Sequence, residues 1–300
     1  MAHDHDHSHG HNANKKALLF SFILIAVFMI VEVIGGLLTN SLALLSDAGH
    51  MLSDAAALGL SLFAFKFGER AASSTKTYGY KRFEILAAFI NGITLLVISI
   101  YIFWEAYNRF LEPPSVDGSM MVIAIIGLVV NILVAWILMR GDTEGNLNLR
   151  SALLHVFGDL LGSVGAIIAG ILILLFNWNI ADPIASVIVA VLILISGWRV
   201  TKDSFHVLME GIPEQINITE VEDKLKSIAG VVSVHDLHIW AITSDFPALS
   251  CHLIVNPEHD RDDILQTASK LLLDNFKLKH TTIQIEGKGS KIQDHEDCCN

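Results

Sequence analysis

The chain has 300 residues, 52% of them hydrophobic and only 17% charged. Its mean hydropathy of +0.53 lies far above that of a soluble globular chain, which excludes a disordered, collagenous or small disulfide-built protein. Lys and Arg number 20 against 31 Asp and Glu, a formal net charge of −11; that excludes a basic nucleic-acid-binding surface and suits traffic in cations.

Six apolar runs are long enough to span a bilayer: 17–38, 41–67, 83–107, 119–139, 149–176 and 180–200. The first is too long for a signal-peptide core and no small-residue cleavage site follows it, so it reads as retained. Asn40 is expected to cap the second run, and Pro113 and Pro114 to break the chain after the third. Asp182 and Pro183 read as N-cap and first helical position of the sixth. Eleven Lys and Arg fall on one side of these runs and only Arg109 on the other, which predicts cytoplasmic termini.

Beyond residue 205 the composition turns soluble. Thr219 to Glu222 reads as a capping box opening a short helix. Strands are expected at 231–242, 249–255 and 280–286, with a helix over 260–276. The order αββαβ predicts an open sheet with helices on one face. The chain therefore divides into a His-rich tail (1–16), a six-helix transmembrane domain (17–205), an α+β domain (206–288) and a tail with a cysteine pair (289–300). Both tails are polar and lack the means to build a core.

Ionisable residues at membrane depth are costly, and each needs an account. The second run carries Asp47, His50 and Asp54, and the fifth carries His155 and Asp159. His50 with Asp54, and His155 with Asp159, share the spacing His-x-x-x-Asp, which puts each pair on one helix face. Two such pairs facing each other supply two imidazoles and two carboxylates, a tetrahedral set suited to Zn²⁺. The alternative is a pair of buried hydrogen-bonded polar patches. Asp47 lies three residues before His50 and reads as pathway lining or as support for a ligand. Gly49, Ser53, Ala57 and Ser61, and Gly158, Gly162, Ala166 and Gly170, form small-residue stripes expected to pack the two helices together. Glu32, Asn40, Asn91, Asn131 and Asp182 read as structural polar contacts or cavity lining.

With these residues the sequence resembles the cation diffusion facilitator family of zinc exporters, from about Lys16 to Glu286. The resemblance is carried by Asn40 to Asp54, by His155-Val156-Phe157-Gly158-Asp159 and by Ala181 to Ser186. His235-Asp236-Leu237-His238-Ile239-Trp240 resembles the zinc-transporting branch. The resemblance implies a homodimer in the bilayer, with six helices per subunit and a cytoplasmic ferredoxin-like, metallochaperone-like domain. It implies zinc/proton antiport by alternating access, with His50, Asp54, His155 and Asp159 as transport ligands. His50, where other members carry Asp, favours zinc, with cobalt or cadmium as further cargo. It further implies zinc bound in the cytoplasmic domain by His235, His252 and Glu286, and a charge interlock between Arg82 and Glu210. The chain departs from the family in two loops. Residues 73–80 lack the His and Asp of a further metal site, and 141–146 lack the histidines of eukaryotic members. The short length and N-terminal histidines point to a bacterial inner membrane.

Zinc and protons compete for the same ligands. His50, with His155, is the expected proton carrier. Moving two charges out against an inside-negative potential costs ~4.6 kcal/mol per 100 mV, and each returning proton offsets ~2.3.

In the cytoplasmic domain, His235 and Leu237 are expected on one strand face and His238 on the other. His252 and Glu286 converge with His235 if their strands pair. Cys251, opposite in parity to His252, reads as a buried thiol. Cys298 and Cys299, with His295, read either as a soft-metal clip or as a free reducible tail. His3, His5, His7, His9 and His11 read as weak, exchangeable zinc capture or as a solvated tail. Rival classes are a membrane metal hydrolase, a zinc sensor and a passive channel. The first lacks a His-Glu-x-x-His motif, so the protein is not expected to be an enzyme.

Overall fold

The structure is a computed structural model and describes residues 7–67, 73–139, 147–243 and 246–287. It comprises two compact units, Met1–Ser204 and Phe205–Asn300. The first unit is built from α1 (His7–Thr39), α2 (Leu42–Phe67), α3 (Arg82–Leu111), α4 (Met120–Met139), α5 (Leu147–Phe176) and most of α6 (Ala181–Leu208). Helix α1 starts ten residues before the expected position 17 and takes in the segment of His7, His9 and His11. No proline occurs before Pro113, so nothing forces an earlier break. His3 and His5 lie outside the described residues, as do His295, Cys298 and Cys299.

Among the described residues, three helices are long and apolar enough to cross a membrane: Leu19–Thr39, Arg82–Leu111 and Ala181–Leu208. Met120–Val134 and Gly162–Phe176 are shorter apolar helices. Helix α2 carries Asp47, His50 and Asp54, which dilute its apolar character.

The first unit exposes large apolar side chains and buries several polar ones. Val97, Ile100 and Leu175 are more than 60% exposed, whereas Glu32, Asp47, Asn131 and Asp182 are buried. That distribution is solvated by hydrocarbon and not by water. Helix α2 is central. Ala43 and Leu44 pack with Ala166, Ala169 and Ile173 of α5. Leu42 packs with Leu95 and Ile102 of α3 and with Val189 and Ile193 of α6. Met51 and Ala55 meet Ile25 and Phe28 of α1.

The turn into α2 differs from the sequence expectation. Asn40 is not the cap; it adopts φ +56°, which Asn tolerates and which reverses the chain after α1. Ser41 takes the cap position, its Oγ accepting from the Leu44 amide at 3.3 Å. Asp182 caps the same end from α6, accepting from the Leu42 amide at 2.8 Å and the Ala43 amide at 3.2 Å. Helix α6 itself begins one residue earlier, at Ala181. A buried carboxylate thus meets the positive end of α2, with its macrodipole, in place of capping its own helix.

The second unit holds α7 (Ile218–Lys226), β1 (Val231–Thr243), β2 (Phe246–Val255), α8 (Arg261–Phe276) and β3 (His280–Gly287). The cap of α7 is Asn217, two residues before the expected Thr219; its side chain accepts from the Thr219 amide at 3.0 Å. Asp260 caps α8 through the Asp262 and Asp263 amides. Lys277 closes that helix at φ +58°. The sheet order is β1-β2-β3, with β1 antiparallel and β3 parallel to β2. Val221 and Leu225 of α7 and Ile264, Ala268 and Leu272 of α8 are spaced four apart and cover one face of the sheet. Leu249, Cys251, Leu253 and Val255 alternate along β2 onto that face. Among the described residues, no helix of this unit covers the other face.

Candidate metal centres

In the first unit Asp47 of α2 faces α5. Ser163 Oγ lies 3.3 Å from Asp47 Oδ2, and Asn131 of α4 donates to the same hydroxyl at 3.3 Å. A Cβ on Gly162 would stand 2.5 Å from Asp47 Oδ1, so the bare glycine backbone makes room for that carboxylate. His50, one turn further along α2, is 5% exposed.

The contacts also give the sense of packing. Along α2 from Ala43 and Leu44 to Asp47, the α5 partners fall from Ile173 and Ala169 to Ser163 and Gly162. The two helices therefore run antiparallel. Continued at helical pitch, this register would set His50 level with Asp159 and, a turn further, Asp54 level with His155. The side chains of Asp54, His155 and Asp159 lie outside the described residues.

The small-residue stripes do not pack as expected from sequence. Gly162 does approach α2, but a Cβ on Gly49 would meet Ile98 of α3 at 3.1 Å and Ile193 of α6 at 3.8 Å. Gly170 faces Met121 of α4. Helix α2 packs against α1, α3, α5 and α6, so Gly49 and Asp47 serve different partners. Among the other polar residues, Asn40 offers its carbonyl to Arg109 Nη1 at 2.6 Å and its Oδ1 to Nη2 at 3.2 Å. Glu32 is fully buried, with Oε1 3.0 Å from the place of a Cβ on Gly127 in α4.

In the second unit His235, His252 and Glu286 come together, their ligand atoms all within 4.8 Å of one another. His252 pairs with His235 across β1 and β2, and Glu286 comes from β3. His252 Nδ1 lies 3.1 Å and His235 Nε2 3.6 Å from the two oxygens of Glu286. Ligands of a tetrahedral zinc stand about 3.3 Å apart, given bond lengths near 2.0–2.1 Å. Two imidazoles and one carboxylate at this spacing fit zinc. Gln284 donates to Glu286 Oε1 at 2.8 Å and steadies the carboxylate.

The strand parity read from sequence fails at one point. Between His235 and His238, β1 advances three residues while β2 advances two, and Asp236 adopts φ +50°. This bulge turns Leu237 into the core beside Val234 and Ile239, whereas His235 and His238 share the open face. His238 Nε2 reaches Asp236 Oδ1 at 2.8 Å, and Asp236 Oδ2 lies 3.6 Å from His252 Nε2. The hydrogen bond from His238 holds the Asp236 carboxyl below the usual carboxylate range, helped by the neighbouring imidazoles. Sequence reasoning passed over Asp236; a bulge leaves no signal in a period-two reading. Cys251 is buried, and burial pushes its thiol up to about 12. Arg82 opens α3, and Glu210 follows α6 at φ +59°; the two lie in different units.

Two family descriptions match the chain: the cation efflux transmembrane domain over residues 18–209, and the cytoplasmic domain of cation efflux proteins over residues 213–288. The chain belongs to the cation diffusion facilitator family of cation efflux proteins. Among its relatives in that family is a cadmium, cobalt and zinc/H(+)-K(+) antiporter of Bacillus velezensis, 56% identical over 91% of this chain and 88% of the relative. The zinc transporter ZitB of Pectobacterium atrosepticum is 47% identical over 91% and 85%. The metal cation efflux system protein CzcD of Cupriavidus metallidurans is 41% identical over 91% and 86%. These diffusion facilitators are transporters and not enzymes, and the chain is a membrane protein.

Proposed function

We propose that the protein exports Zn²⁺ from the cytoplasm in exchange for protons, by alternating access at His50, Asp54, His155 and Asp159. The observation that carries this reading is the Ser163–Asp47 contact between antiparallel α5 and α2. It supports a register in which the two His-x-x-x-Asp rows lie level, where one ion would meet two imidazoles and two carboxylates. The names of the relatives support zinc as cargo, cobalt and cadmium as further cargo, and proton exchange.

Imidazole and carboxylate release protons before they take metal, so one set of ligands couples the two flows without a second site. His50 is the expected proton carrier, because its charge changes near neutral pH. Asp47, one turn along on the same face, lines the ion's path.

In this reading residues 17–205 form six transmembrane helices, with both termini cytoplasmic, in a bacterial inner membrane. Residues 206–288 form a cytoplasmic domain that binds zinc through His235, His252 and Glu286 and supports a homodimer. The tails, 1–16 and 289–300, are accessory.

The test is zinc uptake by inside-out proteoliposomes with and without an imposed pH gradient. Uptake that follows the gradient, and is abolished by Asp54→Ala and by Asp159→Ala, supports the antiporter. Uptake that survives both substitutions sinks the intramembrane site.

A further inference from the structure

We propose that Asp236 is a positioning residue for the metal centre of the second unit, holding His252 by Nε2 so that Nδ1 is turned, unprotonated, toward the ion. The proposal rests on the reading of His235, His252 and Glu286 as metal ligands.

His252 has a carboxylate at each ring nitrogen. Nδ1 lies 3.1 Å from Glu286 Oε1, and Nε2 lies 3.6 Å from Asp236 Oδ2. A neutral imidazole carries one proton, and the nitrogen that binds metal must be the bare one. The ring can therefore ligate beside Glu286 and His235 through Nδ1 only with its proton on Nε2. Asp236 stands where that proton points. Ligating histidines are commonly oriented in this way by a carboxylate on their second nitrogen. At 3.6 Å the contact is at ion-pair range, and a small rotation of the half-exposed Asp236 side chain closes it to a hydrogen bond.

Asp236 is in turn fixed from outside. Its Oδ1 accepts from His238 Nε2 at 2.8 Å, leaving Oδ2 free to face His252. The bulge in β1 makes the arrangement possible. Regular alternation would put Asp236 on the side of Val234, facing α7 and α8. The extra residue at φ +50° brings it instead to the open face, between two histidines. Asp, unlike β-branched residues, takes that backbone conformation at small cost.

The experiment uses the full chain in detergent with Asp54→Ala and Asp159→Ala, with Cys298 and Cys299 changed to Ser and His3, His5, His7, His9, His11 and His295 changed to Ala, so that binding reports the three-strand site. Co²⁺ is titrated by its visible absorption, and Zn²⁺ by competition. Asp236→Ala is expected to weaken binding 10- to 100-fold while leaving stoichiometry and the cobalt spectrum unchanged. Asp236→Asn should recover part of that loss, because its amide oxygen accepts the same proton. Unchanged affinity in Asp236→Ala overturns the proposal. So does the loss of one metal equivalent or an altered spectrum, which would make Asp236 a ligand. His252→Ala is measured alongside. If it abolishes binding while Asp236→Ala changes nothing, only the positioning role fails. If His252→Ala also changes nothing, the metal reading itself falls.

Discussion

Ser41 donates its hydroxyl to Asp182 across 2.5 Å, joining the first turn of α2 to the first turn of α6. The same carboxylate holds two amides of α2 and stands 3.7 Å from Arg109 Nη1. Arg109 in turn binds Glu105 at 2.9 Å and the Asn40 carbonyl at 2.6 Å. One buried acid thereby fixes the end of α2 that leads to Asp47 and His50. Asp182→Ala leaves a buried guanidinium and two amides short of an acceptor. We expect a loss of about 3–5 kcal/mol, seen as a lower unfolding temperature in detergent. Asp182→Asn, which keeps an acceptor, should lose less.

The close approach of Gly162 to Asp47 gives a steric test. Gly162→Ala should cut zinc transport at least about tenfold by pushing α2 from α5, since a Cβ 2.5 Å from a carboxylate oxygen forces movement. Gly165 has nothing within 4 Å of its Cβ position. Gly165→Ala should leave transport intact and stabilise the helix by roughly 0.5–1 kcal/mol. Equal effects from the two substitutions would remove the steric argument.

Burial of Cys251 predicts an inert thiol. With its pKa pushed up to about 12, the thiolate fraction at pH 8 is on the order of 10⁻⁴. In a Cys298→Ser/Cys299→Ser background, thiol reagents should find no reactive group in the folded protein and one after denaturation.

Zinc in the second unit should stabilise it, because the ligands come from three strands and meet only when folded. In the Asp54→Ala/Asp159→Ala chain, zinc at a hundred times its Kd should add ~2.7 kcal/mol. Chelation should reverse the gain, and His252→Ala should eliminate it. A shift of equal size in His252→Ala would place the stabilising ion elsewhere.

The Asp236 carboxyl, held down by His238, sets a small acid dependence. Its contribution is fully present above the ordinary carboxyl value of 3.8 and is lost as pH falls through the lower folded value. NMR of the metal-free protein should find its titration midpoint below 3.8, and His238→Ala should move it upward. The group is half exposed, so the stability effect is slight.

The order of helices and strands was legible from composition and period. Apolar runs marked α1 to α6, and alternation along 249–255 correctly turned Cys251 inward. The His-x-x-x-Asp pairs were visible because four residues return to one helix face. Local patterns were less reliable at the ends of elements. Asn40 and Thr219 had the right chemistry for caps, yet Ser41 and Asn217 serve.

The sequence by itself determined which helices carry acids and histidines, and that polar residues would lie inside an apolar shell. Those properties follow from period and from the cost of burying charge, and they are local or additive. Only the tertiary structure decided that Asp182 caps α2, that Gly49 faces α3 and α6 while Gly162 faces Asp47, and that Asp236 joins His238 and His252. Each depends on a partner far along the chain or on one extra residue in a strand. A bulge shifts every later side chain to the opposite face, and no local pattern records it.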